Sequence, residues 1–240
     1  SAFQFEHVFA ALDILINKSN KWFAYEVKSS TEVKEVHILD AALQYFVITQ
    51  TGLPLEDISI IYINNQYIRN GALDLSQLFI QQSVKKEVMA LQGYIAEKIS
   101  ELKQVTTSKV KPIKDIGPHC SYPYDCDFMS HCWSHIPEVS IFDLIRLSTN
   151  KKFELYSEGI IDMSQLHEDY KLSEGQKMQV ESYLNKQDYI NISSIHRFLS
   201  NIKYPVYFMD FETFQSAIPL FDNSKPYQQV PFQFSVHYKS

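Results

Sequence analysis

The chain has 240 residues, 45% of them hydrophobic and 21% charged, with a formal net charge of −6. This suffices for one large core or two modest ones, while the acidic balance argues against a general nucleic-acid-coating protein. No apolar run approaches the roughly 18 residues of a membrane span, no signal-peptide pattern opens the chain, and an odd cysteine count closes no disulfide framework, so a cytoplasmic protein without a membrane partner is expected.

The chain does not open on Met and enters a strand at once, which reads as a beginning inside a domain. Residues 11–16 and 21–28 are apolar runs around the polar Asn17-Lys18-Ser19-Asn20, which predicts a β-hairpin with a four-residue loop. Closing the ladder at Ile16 and Lys21 puts Asp13 opposite Ala24. Asp13, Ala24, Glu26 and Lys28 then share one face. Leu12, Ile14, Phe23, Tyr25 and Val27 share the other, the expected core face. Asp13 and Glu26 become diagonal neighbours about 7–8 Å apart, within reach of one cation. Two carboxylates and an ammonium on one face suit phosphodiester hydrolysis. The carboxylates hold Mg²⁺ or Mn²⁺, the ion polarises the phosphoryl oxygen, and Lys28 orients water or stabilises the pentavalent charge. A charged edge hairpin on a solvated face is the structural alternative.

Asp13…Glu26-Val27-Lys28 resembles the PD-(D/E)xK nuclease motif, in the RecB-like branch that includes the CRISPR-associated exonucleases. Over nearly its whole length the sequence is similar to a family of uncharacterised bacterial proteins. These join such a domain to a C-terminal RNase H-like (DnaQ-type) exonuclease domain. The most specific stretches are 24–30, 117–133 and 204–237. The resemblance implies that Asp13 and Glu26 bind metal, that Lys28 activates water, and that the fold's opening helix lies upstream of Ser1.

Residues 36–51 read as a helix with Ala41, Ala42, Tyr45, Phe46 and Ile48 as its apolar stripe, ended by Gly52. His37, Asp40 and Gln44 share another side. RecB-like nucleases carry Gln-x-x-x-Tyr here. Gln44 is followed by Ile48, a partial match that makes Gln44 a candidate substrate-binding residue or a solvated helix position. Residues 57–64 read as a buried strand, 67–78 as a loop with a short strand, 84–102 as one long helix, and 106–114 as a polar connector.

Cys120, Cys126 and Cys132 fall together at C-x5-C-x5-C, which reads as metal ligation. The resemblance implies a [4Fe–4S] cluster whose first ligand is not in this chain. A Zn²⁺ site completed by His119, His131 or His135 is the alternative, and three buried free thiols the plainest one. Residues 141–202 have helical patterning and read as a packed linker. Pro205 opens a strand on which Asp210 and Glu212, two apart, share a face. The stretch 207–213 resembles the first motif of DnaQ-type exonucleases, which implies that Asp210 and Glu212 bind the catalytic metal pair. The stretch 227–237 resembles that domain's second strand.

The expectation is therefore an α/β protein: a PD-(D/E)xK nuclease-like core with a cysteine-rich knob over 1–135, a helical linker over 136–203, and the first strands of an RNase H-like domain over 204–240. The expected function is metal-dependent hydrolysis of nucleic acid, DNA rather than RNA, in processing or repair. The alternative is an inactive nuclease-like module that binds nucleic acid or a partner protein.

Overall fold

The computed structural model describes all 240 residues. It has a mixed α/β fold in two compact units, residues 1–110 with 205–240, and residues 111–204. The units divide the chain differently from the sequence-derived domains. The cysteine stretch belongs with the helical residues that follow it, and the C-terminal strands belong with the N-terminal sheet.

The first unit begins with an antiparallel hairpin, β1 (Ala2–Phe5) and β2 (Val8–Ala11), turned at Glu6 and His7. β3 (Ile14–Lys18) and β4 (Lys21–Lys28) form a second hairpin, closing at Lys18↔Lys21. The expected four-residue loop is a two-residue turn. Ser19 and Asn20 both have positive φ, 51° and 62°, and a turn of this hand matches the twist of the strands it joins. A crossover through α1 (Glu35–Gln50) sets β5 (Leu55–Ile63) parallel to β4, in the register Ala24↔Ile58 and Glu26↔Ile60. The loop that follows holds α2 (Leu75–Leu78), where a short strand was expected. Asp74 caps it, its side chain accepting from the N–H groups of Ser76 and Gln77. β6 (Phe79–Ser83) then returns antiparallel to β5, giving the order β3-β4-β5-β6.

The expected helix over 84–102 is two helices, α3 (Lys85–Ala90) and α4 (Gln92–Thr107). Beside the break, Gln92 Nε2 donates to the carbonyls of Val88 and Ala42. Gly93, a poor helix former, follows. The main core gathers Ala24, Ile58 and Ile60 from the sheet, Ala41, Ala42 and Ile48 from α1, and Val84, Val88 and Ile95 from the α3–α4 region. Ala24 is thus a core residue, and the helices cover its face of the sheet. This reverses the expected sides of β4, with Ile14 and Val27 exposed, although Leu12 and Tyr25 are buried as expected. Small Ala24 admits the helix over β4, and the isoleucines of β5 extend the same apolar floor. Glu26 and Lys28 consequently stand on the helix-covered face.

The second unit contains α5 (Met129–Cys132), α6 (Thr149–Ser157), α7 (Glu174–Asn185) and α8 (Ile192–Ser200). The helical patterning at 141–147 resolves into a single 3-10 turn, Ile141–Asp143, capped by Ser140. Ile141, Leu144, Leu155, Ile160 and Met163 form its core. Trp133 stacks edge-on to Phe142 with ring centroids 4.7 Å apart, and Phe142 to Phe153 at 5.2 Å. These contacts attach the cysteine stretch to α6. No helix of the chain is long and apolar enough to cross a membrane.

Two long strands, β7 (Val206–Gln215) and β8 (Gln229–Lys239), form a separate antiparallel ribbon of the first unit, offset by a bulge at Glu212/Thr213. The loop joining them reaches the 64–71 segment. There Arg69 Nη1 donates to the carbonyls of Pro219 and Leu220, at 3.0 and 2.9 Å.

Candidate active site

Glu26 and Lys28 lie two apart on β4, so both point towards α1. α1 answers with His37, Asp40 and Gln44, spaced by one helical turn along one side. Four polar side chains form one network between sheet and helix. Lys28 Nζ donates to Glu26 Oε1 at 2.8 Å and to Asp40 Oδ2 at 2.5 Å. Gln44 Nε2 donates to Asp40 Oδ1 at 3.2 Å. Glu26 is 7% exposed and Gln44 5%. Burying these groups is costly unless they are paired, and Lys28 supplies the pairing charge.

Burial alone would lower the Lys28 pKa, but its hydrogen bonds to Asp40 and Glu26 and the charges of both carboxylates outweigh this and raise it above the usual lysine value. Lys28 is therefore an ammonium across the physiological range. It is suited to stabilising negative charge and unsuited to taking a proton. His37 is shifted the other way: burial, then the charges of Lys28 and Lys34, lower its pKa, against an opposing pull from Asp40. Neutral His37 accepts the Lys34 N–H on Nδ1 at 3.2 Å, at the first turn of α1.

Two buried acceptors in this network have no partner, Glu26 Oε2 and Gln44 Oε1. Buried polar atoms are nearly always paired. Unpaired carboxylate and amide oxygens are the donor type that Mg²⁺ and Mn²⁺ take, commonly with one or two carboxylates and several waters.

Of the sequence-derived residues, Glu26, Lys28 and Gln44 come together. Asp40, to which the sequence reading gave no role, joins them. Its signal was the four-residue spacing to Gln44 on the side of the helix that carries His37. Asp13 is exposed, and its Oδ2 accepts the backbone N–H of Val27 at 2.8 Å. It meets the site strand through the backbone, without a hydrogen bond to Glu26 or Lys28.

Asp210 and Glu212 stand exposed on the ribbon, opposite Ser235 and Gln233. Asp210 Oδ1 accepts the Phe211 N–H. Cys120 is buried, Cys126 exposed and Cys132 half-buried, all as free thiols. His131 Nε2 contacts Lys111 Nζ, and His135 contacts the Cys132 carbonyl and the Tyr156 hydroxyl. No three His, Cys, Asp or Glu side chains gather so as to hold a metal ion. The three thiols thus make no ligation sphere in this arrangement.

Residues 207–240 match the model of a family described as a domain of unknown function, DUF2779. The matched stretch runs from the second residue of β7 through the loop and β8. No curated protein and no solved structure matches the chain.

Proposed function

We propose that the chain is a metal-dependent nuclease of the PD-(D/E)xK type, acting on DNA, with its working site on β4 and α1. The observation that carries this reading is the pair of buried, unpartnered oxygens, Glu26 Oε2 and Gln44 Oε1, beside a charged lysine. Glu26 would hold a Mg²⁺ or Mn²⁺ ion, with the second oxygen of Asp13 and the amide oxygen of Gln44 as further candidate ligands. A bound ion supplies polarisation of the phosphoryl oxygen and a more acidic water. Lys28 stays protonated and offsets the charge that develops on the phosphate. Asp40 keeps Lys28 charged and aimed, and Gln44 is oriented by Asp40.

Asp210 and Glu212 are a second candidate carboxylate pair, as the resemblance to DnaQ-type exonucleases implies, and the cysteine stretch would hold an iron–sulfur cluster or zinc only if Cys120, Cys126 and Cys132 drew together from their present arrangement. One observation favours a second reading, an inactive module that grips nucleic acid or a protein. Lys28 already bridges Glu26 and Asp40, so the buried Glu26 carboxylate has a counter-charge without an ion.

Cleavage of single- and double-stranded DNA with Mn²⁺ tests the proposal. Glu26→Ala should lower the rate about a hundredfold or more, since each 1.36 kcal/mol of lost transition-state stabilisation is tenfold. Asp210→Ala should leave it within a few-fold. Wild-type protein that cleaves no substrate would favour the binding module, and cleavage that survives Glu26→Ala but not Asp210→Ala would move the working site to the ribbon.

A further inference from the structure

β4 outruns its neighbour β3. The ladder between them ends at Ile14↔Tyr25, so residues 26–29 have a strand beside them only on the β5 side, where Lys28 pairs with Tyr62. Backbone groups of alternate residues point to opposite edges of a strand. Val27 and Ser29 therefore face the open edge, and side chains meet both. Asp13 Oδ2 accepts the Val27 N–H at 2.8 Å, and the Tyr227 hydroxyl donates to the Ser29 carbonyl at 3.0 Å. On the other edge, the Ser30 carbonyl accepts the Ile63 N–H at 2.9 Å.

Tyr227 comes from the β7–β8 loop, and this loop is fastened to the first unit. Besides the Arg69 guanidinium contacts, the Asn223 N–H donates to the Arg69 carbonyl at 2.8 Å and the Arg69 N–H to the Ser224 carbonyl at 3.1 Å. Tyr227 has a φ of 56°, in the left-handed region that bulky side chains rarely adopt. Its own N–H donates to the Ser216 carbonyl at 2.8 Å, and its ring packs on Ile63, Tyr67 and Leu78. A bulky residue is thus held in an unfavourable conformation with its hydroxyl on the carbonyl directly after Lys28.

We propose that Tyr227 is a positioning residue for Lys28, standing in for the missing strand at the open edge of β4 and fixing the backbone from which the ammonium reaches Glu26 and Asp40. The functional meaning of this brace rests on the nuclease reading of Glu26 and Lys28; its geometry does not.

The test uses the full chain. The rate at which an amine-reactive acetylating reagent modifies each lysine is read residue by residue by mass spectrometry. In Tyr227→Phe the ring stays and one hydrogen bond goes, so Lys28 should be modified about fivefold faster, the opening that one net hydrogen bond controls. Lys21 and Lys85, on the same unit, should keep their rates. Arg69→Ala frees the loop through different contacts and should give the same selective rise. An unchanged Lys28 rate in both variants, or a rise shared with Lys21 and Lys85, overturns the proposal. With Mn²⁺ and DNA, Tyr227→Phe should lower kcat about fivefold at unchanged KM. Should the wild type cleave nothing, or Glu26→Ala cleave like it, the nuclease reading falls, while the lysine labelling still decides the role of Tyr227.

Discussion

Lys28→Met isolates the energetic role of the buried network. Glu26 keeps one hydrogen bond, from Lys28 at 2.8 Å, and its other oxygen has none. Removing the ammonium leaves a buried carboxylate with neither a counter-charge nor a donor. A hydrogen bond to a charged group contributes about 1.5–3 kcal/mol net. The Asp40 side of the bridge is 38% exposed, so it adds at most about 1 kcal/mol. The expected loss is about 2–3 kcal/mol. Glu26→Gln on the Lys28→Met background removes the stranded charge, so a double-mutant cycle should return a coupling of about 1–2 kcal/mol. Urea unfolding measures it, followed by Trp22 fluorescence in a Trp133→Phe background. The chain has two tryptophans, and only Trp22 lies in the first unit. With a slope of about 2–3 kcal/mol per molar urea, the midpoint should fall by about 1 M. A Lys28→Met protein within about 0.5 kcal/mol of wild type, with no coupling to Glu26, would refute the argument.

Two further outcomes are expected. His37 has a pKa below its ordinary 6.5, so the unfolded chain binds more protons between the two values and the first unit loses stability as pH falls through that window; His37→Gln, which keeps an acceptor for the Lys34 N–H, should flatten this slope in urea titrations between pH 7 and pH 5. Gly52 ends α1 at a φ of 89° with open space where a Cβ would sit, so Gly52→Ala should cost about 1 kcal/mol through the backbone alone, read as a lower melting temperature.

The site was legible in the sequence for a specific reason. The true hairpin register differs from the expected one by two residues across the pair, and side chains alternate with a period of two. Glu26 and Lys28 sit two apart on one strand and share a face in any register, so their grouping survived an error in loop length, and the even shift leaves Asp13 on that side as well. The turn was misread because Asn17 and Lys18 are polar yet lie within β3, and Ser19-Asn20 carries no glycine to mark its left-handed backbone. The core face could not be read from β4 alone. Trp22, Phe23 and Tyr25 put aromatics on both sides, and the deciding residues are Ala24, too small to signal, and the distant Ile58 and Ile60. Gly52 marked the end of α1 because only its backbone permits the turn there. Asp40 was visible as a helix neighbour of Gln44, but its bond to Lys28 spans the crossover and has no local signature. The contact of Tyr227 with Ser29 is longer-ranged still.

That last separation bears on the order in which the protein is made. Ser29 and Tyr227 are 198 positions apart, and the second unit is synthesised between them. At ribosomal rates of about 5–20 residues per second, some 10–40 s pass between the appearance of the site strand and of the side chain that closes its edge. During that interval Glu26 and Lys28 ride on a nascent strand with one unpaired margin. Completion of this edge is in this sense post-sheet: a hairpin near the start of the chain acquires its last backbone partner only when a loop made much later docks.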